Sequence, residues 1–120
     1  MDSTRPIAKA DVAAMLESEL NRPDLLSGEF RISFDHVRAY RRGQPLNLRP
    51  KELKLFELFL THRGQVLSRE YLASCISDKD NLDERTIDVH IMRLRKNLRL
   101  RKWKDPITTV RDTGYQFCKG

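Results

Sequence analysis

Asp83-Glu84-Arg85-Thr86-Ile87-Asp88-Val89-His90-Ile91-Met92-Arg93-Leu94-Arg95-Lys96-Asn97-Leu98 is the stretch from which the rest of this 120-residue chain can be read. At about 100° per residue, Ile87, Ile91, Leu94 and Leu98 fall on one side, the core-facing stripe of an amphipathic helix, and Asp83 stands where an N-cap belongs. The opposite side gathers Arg85, Thr86, Val89, Arg93 and Lys96, with His90 and Asn97 on one flank and Arg95 and Arg99 on the other. A merely solvated helix would gain nothing from the β-branched, apolar Val89 in the middle of its charged face. Such a face suits a DNA major groove, where Arg bridges guanine O6 and N7 and an apolar group meets a thymine methyl.

Charge sharpens this reading. The chain carries 23 Lys or Arg against 17 Asp or Glu, a net +6. Residues 85–104 alone hold eight bases and the single acid Asp88, a net +7, so the remainder is nearly neutral. Focused basic charge is the footprint of a polyanion binder, with a solvated basic helix as the plainer alternative. At 39% hydrophobic residues the composition is that of one folded domain. No apolar run approaches the length needed to cross a bilayer, which predicts a cytoplasmic protein without a membrane span. Cys75 and Cys118 lack Cys-x-x-Cys spacing and are expected as reduced packing cysteines.

Outward from the basic helix, the neighbouring elements follow from local signals. Upstream, Ser68 can cap a short helix bearing Tyr71, Leu72, Cys75 and Ile76, and Ser77 to Glu84 reads as an acidic loop. Before that, Pro50 opens a helix with Glu52 meeting the helix dipole and Leu53, Phe56, Phe59 and Leu60 as its stripe. Phe30, Ile32 and Phe34, then Val37 to Tyr40 and Leu46 to Leu48, alternate as strands of a small antiparallel meander with a turn at Arg42-Gly43-Gln44-Pro45. Downstream, Ile107 to Val110 and Tyr115 to Cys118 flank Arg111-Asp112-Thr113-Gly114 as a closing hairpin. Arg111 at its tip suits a narrow minor groove as well as an ordinary turn. Together these elements predict an α+β domain.

The run from Asp83 to Lys96, followed by Thr109-Val110-Arg111-Asp112-Thr113-Gly114-Tyr115-Gln116-Phe117, closely resembles the OmpR/PhoB-type winged-helix effector domain of bacterial two-component response regulators. Leu48 to Glu52 and Leu67-Ser68-Arg69 through Leu72 fit the same pattern, and the likeness spans roughly residues 28–118. The resemblance implies a winged helix-turn-helix with an N-terminal antiparallel four-stranded sheet, three helices and a C-terminal β-hairpin wing. It implies Thr86, Val89, His90 and Arg93 near base edges, Arg85, Lys96, Thr109 and Tyr115 near phosphates, and Arg111 in the minor groove. It also implies a loop, Asp78, Lys79, Asp80 and Asn81, that touches RNA polymerase, and a dimer on direct-repeat half-sites of double-stranded DNA. Three residues depart from the pattern: Ile76 where many members carry Trp, Met92 where Arg is frequent, and Arg49 in place of a capping Thr or Ser.

Residues 1–27 are expected to form an N-terminal helix and linker, with the winged-helix domain over 28–120. Val12, Met15, Leu16 and Leu20 give the first segment a helical period from Arg5 to Arg22. Arg5-Pro6-Ile7 is similar to the end of a receiver domain, while a helix of the chain's own, packing or pairing with a second copy, is the alternative. Either way, 27 residues hold no complete receiver, so no phosphoryl acceptance is expected. An enzyme is not expected: His36, His62 and His90 lie far apart, and no phosphate-cradling Gly loop occurs. No cofactor, metal or small-molecule substrate is expected either, since Leu82 and Asp83 spoil a calcium loop begun at Asp78. A winged helix that contacts RNA polymerase or a partner regulator without binding DNA is the alternative function.

Overall fold

In the computed structural model, whose described residues are 22–76 and 84–119, the chain opens with β1 (Leu25–Ser27), β2 (Phe30–Ser33), β3 (Arg38–Arg41) and β4 (Gln44–Leu46). They form an antiparallel sheet in the order β1-β2-β3-β4. Phe30 and Ile32 point into the core while Arg31 between them does not, the period-two pattern of a half-buried strand. Arg42 and Gly43 both have positive φ, 52° and 78°, and join β3 to β4 as a two-residue hairpin with Arg41 opposite Gln44.

Two expected boundaries move. The strand expected at Val37 to Tyr40 starts at Arg38, because Val37 sits at φ 50° in the preceding turn. The strand expected at Leu46 to Leu48 lies at Gln44–Leu46, where Leu46 pairs with Ala39. The sheet also begins inside the segment expected as linker. Leu25 pairs with Ile32 and packs against the core, so the folded unit starts before residue 28.

Helix α1 (Pro50–Thr61) begins on Pro, and Arg49 before it makes no side-chain cap, leaving the Leu53 N–H to the Arg49 carbonyl at 2.8 Å. Strand β5 (Val66–Ser68) was not expected from the sequence; it leads into α2 (Arg69–Ile76), where Ser68 Oγ accepts the Tyr71 N–H at 3.0 Å as the anticipated cap. Helix α3 (Glu84–Leu98) is followed by a 3-10 turn at Leu100–Lys102 and the hairpin β6 (Ile107–Val110) and β7 (Gly114–Phe117). The second sheet runs β5-β7-β6, so the hairpin is anchored on its inner side by β5. Gly114 is required there: a Cβ would lie 2.0 Å from the Leu67 carbonyl oxygen. Phe30, Phe56, Phe59 and Phe117 meet at the centre of the core, with Phe30 and Phe117 edge-to-face at 5.1 Å. The expected N-terminal helix lies outside the described residues.

Candidate nucleic-acid interface

Helix α3 is seated as its periodicity predicts. Ile87, Ile91, Leu94 and Leu98 are fully buried, and the other face presents Arg85, Val89, Met92, Arg93 and Lys96 to solvent, with Thr86 half-buried beside them. Val89 is 39% exposed and Met92 60%, an uncovered apolar strip amid cations. Arg93 and Lys96 form no ion pair among the described residues, and Asn97 donates to the Arg93 carbonyl within the helix at 3.1 Å.

Polar contacts to neighbouring elements fix the orientation of this face. At the C-terminal end, the buried guanidinium of Arg41 from β3 donates to the Leu98 carbonyl at 2.6 Å and the Lys104 carbonyl at 2.8 Å, and its Nε pairs with Glu29 at 2.5 Å. It lies between the rings of Phe30 and Trp103. The carbonyls at a helix C-terminus lack partners within the helix, and a cation there also meets the dipole. Toward the wing, Arg95 donates to Asp105 at 2.9 Å, to the Ile107 carbonyl at 2.7 Å and to Thr109 Oγ1 at 2.8 Å. Its charge is spent on structure rather than offered outward.

Two residues expected to touch DNA make contacts within the protein. His90 is held against α1, its Nδ1 2.5 Å from the Glu52 carboxylate, with 13% of its side chain exposed. Its flank position brings it beside α1, and Glu52, in the first turn of α1 as expected, is buried there as its partner. Tyr115 is buried, and its hydroxyl donates its one proton to Asp88 Oδ1 at 2.6 Å, leaving none for a phosphate. Burial first, and the Asp88 carboxylate second, push that phenol up to about 12. Asp88 also receives Arg69 through Nε at 3.1 Å and Nη2 at 2.5 Å. Nothing in residue type alone marks Arg41 or Glu52 as interior, or Asp88 as bound from two other elements; contacts with partners distant in sequence are what place them.

The hairpin between Val110 and Gly114 turns through Arg111, Asp112 and Thr113, with Asp112 at φ 62° and the Thr113 N–H donating to the Val110 carbonyl at 3.0 Å. Arg111 stands exposed at the tip, and Thr109 is exposed on β6 with its hydroxyl proton available while its oxygen accepts Arg95. Among the described residues no group of three His, Cys, Asp or Glu is placed to hold a metal, and no helix is long and apolar enough to cross a membrane. Both cysteines are free; Cys118 is exposed rather than packed, its sulfur accepting from Arg63 at 3.3 Å. Asp78, Lys79, Asp80 and Asn81 lie outside the described residues.

Among the described residues, a four-stranded sheet, three helices of which the last turns a basic face outward, and a hairpin constitute a winged-helix domain of the response-regulator effector kind. The chain belongs to the OmpR/PhoB-type family described as "Transcriptional regulatory protein, C terminal", whose model matches residues 43–117. It is 34% identical over 121 residues to the phosphate regulon transcriptional regulatory protein PhoB of Rhizobium meliloti (strain 1021), covering 94% of this chain and 53% of that protein. It is 32% identical to PhoB of Escherichia coli (strain K12), over 95% of this chain and 53% of that one. The chain thus spans about half the length of these curated relatives. Among solved structures, the DNA-binding domain of response regulator AdeR in complex with an intercistronic region superposes with a TM-score of 0.72 at 28% identity, covering 79% of this chain and 99% of that one. The Klebsiella pneumoniae RstA DNA-binding domain in complex with the RstA box gives 0.67 at 27% identity, covering 81% and 98%.

Proposed function

We propose that this chain binds double-stranded DNA sequence-specifically and regulates transcription as the output domain of a response regulator. The outward face of α3 carries this reading: Arg93 and Lys96, which form no ion pair among the described residues, flank the exposed Val89, a combination that suits a groove and is hard to account for at a solvated surface. In this reading Thr86, Val89 and Arg93 meet base edges, while Arg85, Lys96 and Thr109 meet phosphates. Arg111 enters the adjacent minor groove. His90 and Tyr115 support the face from behind. Two copies lie on direct-repeat half-sites, and the loop of Asp78, Lys79, Asp80 and Asn81 reaches RNA polymerase.

A fluorescence titration of labelled duplex against salt tests it. With about five to eight phosphates neutralised, log K falls with log salt at a slope of about −4 to −7. Arg93→Ala costs about 1–3 kcal/mol on the preferred site and relaxes one base pair, whereas Lys96→Ala weakens all sequences alike and reduces the slope by about 1. A flat salt response, or equal losses from both variants on specific and random duplex, refutes the reading.

A further inference from the structure

Asp88 is an acid in the most basic segment of the chain, one residue from Val89 in the outward face of α3. A carboxylate so placed repels phosphate, so its presence calls for a use. Its partners come from the other two elements around the face: Tyr115 from the wing strand β7 at 2.6 Å, and Arg69 from the first residue of α2, gripping both carboxylate oxygens. Helix α2, helix α3 and the wing therefore meet on one carboxylate. The hydroxyl of Tyr115 is the link in this hub that reaches the strand leading from the wing tip.

We propose that Asp88, through Tyr115, is a positioning residue that sets the orientation of the wing relative to α3, and so makes minor-groove contact by Arg111 depend on major-groove seating of Val89 and Arg93. The inference rests on the DNA-binding reading above and adds a coupling to it. Two groove contacts on one rigid frame reinforce each other, because ordering the second costs little once the first is made. With the hub broken, the wing keeps the Arg95 contacts on β6 and its pairing with β5 but loses the link from β7 to Asp88, so part of its order must be regained at each binding event. The neutral phenol keeps the Asp88 contact throughout the physiological range.

A double-mutant cycle on the preferred duplex measures this coupling, with Arg111→Ala, Tyr115→Phe and their combination. Arg111→Ala is expected to weaken specific binding about tenfold in the native background and less than about threefold beside Tyr115→Phe. Asp88→Asn, which keeps an acceptor for the phenol, retains most of the coupling, and Asp88→Ala loses it. Random-duplex affinity stays within about twofold for Tyr115→Phe, which separates positioning from general loss of structure. An equal effect of Arg111→Ala in both backgrounds overturns the proposal. If the native chain shows no preference among duplexes, the DNA reading itself has failed, and hydrogen exchange decides the remaining claim. Tyr115→Phe then speeds exchange of wing amides 109–113 at unchanged α1 protection, whereas unchanged wing rates refute the hub.

Discussion

Arg41→Met is the most informative perturbation of the frame that holds α3. The native guanidinium is 6% exposed and satisfies the Leu98 carbonyl at 2.6 Å, the Lys104 carbonyl at 2.8 Å and the Glu29 carboxylate at 2.5 Å. Methionine fills much of the space between Phe30 and Trp103 but donates nothing. Each hydrogen bond from a charged donor contributes about 1.5–3 kcal/mol, and a buried acceptor left bare loses its solvation as well. The Glu29 arm must be discounted, because that carboxylate is 29% exposed and water takes over part of the role. Taking the two carbonyls as the main loss gives about 3–6 kcal/mol, or a fall in Tm of roughly 12–48 °C for a domain of this size. Arg41→Lys keeps the charge but cannot span three acceptors and is expected to cost about half as much. Thermal unfolding followed by circular dichroism reads both, and hydrogen exchange should show faster opening at residues 96–98. A Tm for Arg41→Met within about 4 °C of the native chain would refute the claim that this side chain caps α3.

The remaining predictions concern single contacts. Gly114→Ala drives a Cβ to 2.0 Å from the Leu67 oxygen, so β5 must leave β7 at a cost above about 3 kcal/mol. Gly43→Ala meets nothing within 4 Å and costs only about 1–2 kcal/mol for its φ of 78°; chemical denaturation compares the two. Glu52→Ala strands His90 in a nearly closed site and should destabilise by about 1–3 kcal/mol at neutral pH, read by the same denaturation. The hydrogen bond from Arg41, the largest cause, followed among the lowering contacts by that from Arg42, holds Glu29 below its ordinary 4.5. A depressed folded value contributes stability above the unfolded one and loses it as pH falls through the folded one, so the Tm should hold down to about pH 4.5 and then decline, less steeply in Glu29→Gln.

Periodicity made the central helix legible. Ile87, Ile91, Leu94 and Leu98 stand four and three residues apart, and burying that stripe necessarily turns Val89 and Arg93 outward. The hairpin was legible for a similar reason, because β-branched residues flank a turn whose chemistry admits positive φ at Asp112. Strand β5 was not, since three residues are too few to show a period and β5 exists only because β7 lies beside it. Charged residues misled where their partners are distant in sequence. Arg41 carries no local signal of burial, because its carbonyl acceptors lie 57 and 63 residues away. His90 and Tyr115 have polar ends that suit DNA equally well, and only the fold shows that Glu52 takes Nδ1 of one and Asp88 the hydroxyl proton of the other.

Selection of bound sites from a random duplex pool, run with the native chain and with Arg93→Ala, tests most directly whether the outward face of α3 reads sequence. The native chain should enrich one half-site motif, repeated in the same orientation, and Arg93→Ala should lose preference at one base pair while keeping the others. A pool with no enriched motif, or an identical motif from both chains, would contradict the assignment of α3 as the reading element.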